Sequence, residues 1–148
     1  MLDKELSTWS AEYQKYGFTP WATDGSDIEM YFCDPDYIFA ALSISKEEAE
    51  LLLKEVMQEY EEAFKKVFVN KRAEINKRLY EKTGGSPDTE ELWNNLPITQ
   101  RVKGKDLLSR LREAAQSKGW NEKALGRTTE KYVAAPSFIK ILEGLCKK

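Results

Sequence analysis

Residues 117–132 read SKGWNEKALGRTTEKY, and the C-terminal third takes its architecture from whether this stretch is a helix stop, a turn and a second helix. Just before it, Leu107, Leu108, Leu111, Ala114 and Ala115 trace one helical face from Lys105 onward. Gly119 stands where a helix ends on a left-handed residue. Asn121 then has the chemistry of an N-cap, with Trp120 and Leu125 spaced as a hydrophobic staple across it. On the helix so started, Lys123, Arg127 and Lys131 fall four residues apart on one face beside Thr128, while Ala124 and Leu125 turn inward. Gly126 opposes that helix by roughly 0.5–1 kcal/mol relative to Ala and is placed to end it early. A third helix is predicted from Pro136, burying Phe138, Ile141, Leu142 and Leu145. This order places a cationic helix in a DNA major groove with its neighbours in support.

Working back toward the N-terminus, "ITQRV" at 98–102 reads as a short strand or an extended linker. Gly84-Gly85 marks a boundary, and Ser86-Pro87-Asp88 restarts a helix through Leu92 and Trp93 that stops before Pro97. Between Ser45 and Thr83 there is neither Gly nor Pro. Ser45 and Glu48 form a capping box, and Leu53, Met57, Tyr60, Phe64, Phe68, Ile75 and Leu79 continue an apolar face. A continuous helix of that length would span roughly 55 Å, so a break near "FVNKR" is expected. Asp34 and Pro35 open a brief helix over Tyr37 to Leu42. In "FTPWATDGSDIEMYF" the Asp24-Gly25 turn and the alternation of Ile28, Met30 and Phe32 predict a β-hairpin. Leu2, Leu6, Trp9, Tyr13 and Tyr16 predict an opening amphipathic helix stopped by Gly17. The fold class that follows is mainly α with a small N-terminal β-hairpin and a long central helix, ending in a tri-helical helix-turn-helix or winged-helix-like unit. Three segments result: 1–83, 84–104 and 105–148.

Net charge is -2, yet it is polarised along the chain. Residues 1–62 hold 15 Asp/Glu and 4 Lys/Arg, whereas residues 101–148 hold 5 and 12. A basic segment behind an acidic one fits a nucleic-acid-binding end, unless the two neutralise each other in the folded protein. The 148 residues suffice for one ordinary core. Two cysteines, Cys33 and Cys146, give neither a disulfide framework nor a zinc site. The most apolar run, Tyr37 to Ile44, is far short of the roughly 20 residues a membrane helix needs. A soluble cytoplasmic protein is expected.

The segment VKGKDLLSRLREAAQSKGWNEKALGRTTEKYVAAPSFIKILEGL resembles the terminal winged-helix units of phage and plasmid primase-helicase proteins. The matching residues are Leu107, Leu108, Leu111, Trp120, Leu125, Gly126 and Arg127, within about a third of the chain. The resemblance implies a DNA-contacting accessory unit of phage or mobile-element origin. It transfers no activity, since no Gly-rich phosphate loop ending in Lys-Ser/Thr occurs.

With no histidine, the usual general base and metal ligand are missing. Asp24, Asp27 and Glu29 cluster without calcium-loop spacing and read as an acidic turn. Cys33, in an aromatic-rich stretch, reads as a small core residue. No enzyme, cofactor, metal or small-molecule substrate is expected. The leading expectation is DNA binding through Lys123, Arg127, Lys131, Asn121 and Thr128, supported by Lys103, Lys105, Arg110 and Arg112. The alternative is a protein-binding inhibitor or adaptor of the anti-CRISPR or DNA-mimicking kind, acting through Trp21, Asp24, Asp27, Glu29, Tyr31, Asp36 and Tyr37. The long helix could equally serve as a homodimer seam.

Overall fold

Local capping chemistry sets three of the described α-helix starts. In the computed structural model, which describes residues 3–18, 23, 25–129 and 132, Asp34 accepts from the amides of Asp36 and Tyr37 to open α2 (Pro35–Leu42). Ser45 and Glu48 form the complete capping box of α3 (Lys46–Glu59). Asp88 accepts from Glu91 N to open α5 (Thr89–Asn95). The cap of α5 is therefore Asp88, the last residue of the Ser86-Pro87-Asp88 restart, because its carboxylate reaches the orphan amide at the third helical position. The opening helix α1 (Asp3–Gln14) ends in a turn that passes through Gly17 at φ 81°.

The apolar run from Ser45 to Thr83 forms two helices: α3 is followed by α4 (Glu61–Leu79), with the break at Tyr60 rather than near Phe68. Tyr60 leaves helical geometry (φ -109°, ψ 14°) although no Gly or Pro stands there. The neighbours change at this point, α3 packing on α2 and α7 (Gly104–Ser117), and α4 packing on α5 and α6 (Ile98–Arg101). "ITQRV" is thus neither strand nor linker; it holds the single turn α6, whose last amide bond runs from Val102 N to Ile98 O.

Where alternation predicted a strand, Ile28–Cys33 forms a 3-10 helix. Met30 and Cys33 are buried, three residues apart, while Ile28 is exposed. That spacing suits three residues per turn rather than the two of a strand. The cause is tertiary. Asp27 caps Met30 N and also accepts from Lys105 N, and Ser26 Oγ accepts from Gly104 N, so this segment closes the start of α7. Gly104 is required: a Cβ there would lie inside contact distance of Asp27 Oδ1 and the Met30 backbone. No strand occurs among the described residues, and residues 19–22 and 24 of the expected hairpin, Trp21 and Asp24 among them, lie outside these.

α7 occupies the centre. Leu107, Leu111 and Ala115, four residues apart, are fully enclosed, and one apolar cluster runs from Met30 to Leu125 across the 3-10 helix, α2, α3, α4, α5 and α7. None of the described helices is long and apolar enough to cross a membrane.

Candidate nucleic-acid interface

α7 ends as the sequence predicts. Gly119 is left-handed (φ 74°), its amide bonds Gln116 O, and Trp120 N bonds Ala115 O, which together satisfy the last carbonyls in a Schellman arrangement. The expected second helix does not follow. A single 3-10 turn, Glu122–Ala124, forms without a side-chain cap from Asn121, and Gly126 then takes φ 81°.

Tertiary bonds override the helix at this point. Tyr37 Oη, on a side chain only 1% exposed, accepts from Gly126 N at 2.8 Å and Arg127 N at 3.0 Å, and lies 2.8 Å from Arg127 O, to which its proton can be donated. From the other side, Arg112 Nε and Nη2 donate to Leu125 O at 3.1 and 2.6 Å. Leu125 is fully buried, so the loop is pinned by a core side chain and by two polar clamps. Burial pushes the Tyr37 hydroxyl above its ordinary pKa, partly opposed by the bonds to the backbone at Arg127 and Gly126. The edge of the Tyr132 ring completes its surroundings, with centroids 5.5 Å apart.

The cations expected at the interface divide by what they touch. Lys105, Lys123 and Arg127 are exposed, with no ion pair among the described residues, and Thr128 and Asn121 are exposed beside them. Arg112 shows an exposed flank but is held by the loop carbonyl. Arg110 is occupied, bonded to Glu113 at 2.7 Å and lying 4.4 Å over the Tyr60 ring. Lys103 has only a 4.0 Å approach to Asp106. Lys131 lies outside the described residues, as does the segment of the expected third helix. The exposed stripe of α7 is Lys105, Ser109, Arg112 and Gln116, and the loop carrying Lys123 and Arg127 is clamped beside Arg112.

Of the acidic and aromatic set, Trp21 and Asp24 lie outside the described residues, and three of the others have partners within the molecule. Asp27 caps two helix starts, Asp36 pairs with Lys46 at 2.7 Å, and Tyr37 clamps the loop. Glu29 and Tyr31 are half-buried. Burial, with Asp27 and Glu29 nearby, pushes the Cys33 thiol up to about 12, consistent with a core residue.

Sequence reasoning missed two arginines. Arg72, 4% exposed, makes a two-pronged bond to buried Glu5 at 2.8 and 2.9 Å, supported by Tyr80 Oη. Arg101 stacks over Trp93 at 4.8 Å and bonds the Trp93 carbonyl at 2.6 Å. In α1 the signal was an acid one residue from Leu6 on an apolar face; for Arg101 none stood out. Compared with protein-family models, curated proteins and solved structures, the chain has no match.

Proposed function

We propose that this protein binds nucleic acid through phosphate contacts made by the outer stripe of α7 and the 121–128 loop. The observation that carries the reading is the fate of the polarised charge. Among the described residues, Lys118 with Glu55 is the ion pair joining a cation of 101–129 to an acid of 1–62. Among the described residues the two ends are thus joined by little ion pairing, and Lys105, Lys123 and Arg127 face solvent. Cations on a turn suit backbone contact, whereas base reading in the major groove needs an inserted helix or ribbon, so the binding is largely indifferent to sequence. The resemblance to primase-helicase terminal units rests on core positions such as Leu107, Leu111 and Leu125, and it supports testing duplex DNA first. The protein-binding alternative draws less support, because Asp27 and Tyr37 are engaged internally and Asp36 is held in a surface pair with Lys46.

The test is fluorescence anisotropy with labelled duplex and single-stranded DNA. Wild type is expected to bind in the micromolar range at about 50 mM salt, with a log-log salt slope of roughly -3 if three phosphates are neutralised. Lys105→Glu/Lys123→Glu/Arg127→Glu should abolish binding with an unchanged circular dichroism spectrum. Salt-independent binding, or binding that survives in the folded triple variant, would refute the proposal. No binding at low salt would shift attention to protein partners of residues 1–62.

A further inference from the structure

A second site lies away from the basic stripe. Between α4 and the chain from Leu96 to Lys103 runs a cleft of about 540 Å³, within the size range of small-molecule sites. Its apolar wall is Val67, Phe68, Ile75, Leu96 and Val102, with Phe68 and Val102 reaching it from the core. Its polar wall carries Lys71, Arg72, Arg101 and Lys103 against Asp27 and Glu74.

Hydrogen-bond accounting gives this wall its character. Both carboxylates are engaged: Asp27 accepts from the amides of Met30 and Lys105, and Glu74 holds Lys71 at 3.1 Å. Arg72 spends its terminal nitrogens on Glu5 and Asn76, leaving its buried Nε without a partner. Arg101 spends Nη1 on the Trp93 carbonyl, and its Nε is likewise buried and unpartnered. Arg101 also has no acid in ion-pair range among the described residues. The two buried Nε atoms are closed to the cleft itself, but with both carboxylates engaged and Arg101 without an acid in range among the described residues, the wall keeps positive charge at Arg101 and Lys103 that an anionic oxygen would balance. The apolar wall specifies the rest of the ligand.

We infer that this cleft binds a small amphipathic anion, with a carboxylate or phosphate head toward Arg101 and Lys103 and an apolar body against Phe68, Ile75 and Val102. The reading is independent of nucleic-acid binding, because Lys105, Lys123 and Arg127 take no part in it. Decanoate and decyl phosphate, both below their micellar concentrations, are the probes for isothermal titration calorimetry on the full chain, with decanol and inorganic phosphate as controls. Saturable one-to-one binding of either anion is expected, and the tighter of the two assigns the head group. Decanol should bind about tenfold more weakly or worse, as loss of a charge-assisted hydrogen bond implies. Inorganic phosphate should give no measurable heat.

Two folded variants separate the walls. Lys103→Glu, on an exposed side chain, should weaken the anion by roughly tenfold by reversing charge at the head. Val67→Trp, at a position 42% exposed, should block the cleft without altering charge. Failure of both anions to bind, equal binding of decanol, or affinity unchanged in both variants would each overturn the inference, leaving a water-filled crevice or a nonspecific apolar one.

Discussion

Tyr37 reaches from α2 to the 124–127 loop. Its hydroxyl meets two backbone amides that a continued helix would have hidden, so one side chain 89 residues away converts an expected helix into a clamped loop. Tyr37→Phe keeps the packing against Phe32 and Tyr132 but strands the amide of Gly126 and leaves that of Arg127 only its 3.3 Å bond to Ala124 O. A loss of about 1–3 kcal/mol in urea unfolding is expected, together with faster amide exchange at 126–127 than in α7. Unchanged exchange would remove the hydroxyl as the clamp. Tyr37 was read from the sequence as a partner-binding aromatic, and nothing local distinguishes such a tyrosine from a core one. Its role depends on what the fold brings to its hydroxyl.

Among the elements, the starts of α2 and α3 and the end of α7 were legible, and the helix partners were not. Asp34 with Pro35, Ser45 with Glu48, and Gly119 all act where their local chemistry places them. The attachment of α1 is a different matter, because it depends on Glu5 meeting Arg72 on α4. Trp9 adds a second tie, with Arg78 4.5 Å from its ring. Glu5→Gln removes the charge that compensates a buried guanidinium, a defect worth about 3–5 kcal/mol if the helix stayed docked. The cheaper response is for α1 to separate and let Arg72 hydrate. Hydrogen exchange should then show amides of residues 5–14 losing protection while those of 104–117 keep theirs, and Glu5→Leu/Arg72→Met should restore docking. Loss of protection in both helices would mean that α1 is integral to the core.

The whole molecule carries its charge pattern and its pH response together. Cys33 keeps its proton in the folded chain up to about 12 against an ordinary 9.0, chiefly through burial. Because the folded-state value is raised, its contribution is complete below about pH 9 and declines as pH rises toward 12, by at most about 1.4 kcal/mol per unit. Tyr37, raised in the same direction, adds to the decline above its own ordinary value of 10.0. Urea unfolding at pH 8 and pH 10 should show wild type losing roughly 1 kcal/mol more than Cys33→Ala. Equal losses would show that the thiol is not linked to folding. The nucleic-acid proposal also belongs at this scale, since it depends on cations that have no ion pair among the described residues.

The sequence by itself determined the helical class, the caps of α2 and α3, the left-handed stop at Gly119 and the apolar face of α7. Each of these is set by residues within a turn or so of one another, where side-chain chemistry and periodicity suffice. Only the tertiary structure decided the 3-10 helix at 28–33, the break at Tyr60 and the loss of a second helix after Asn121. In the first and last cases the backbone closes on groups distant in the chain, namely the start of α7 for Ser26 and Asp27, and Tyr37 and Arg112 for the 124–127 loop. At Tyr60 the two halves of an apolar run acquire different neighbours. Local periodicity holds no information about bonds made across such separations, so the candidate site was visible as charge and invisible as shape.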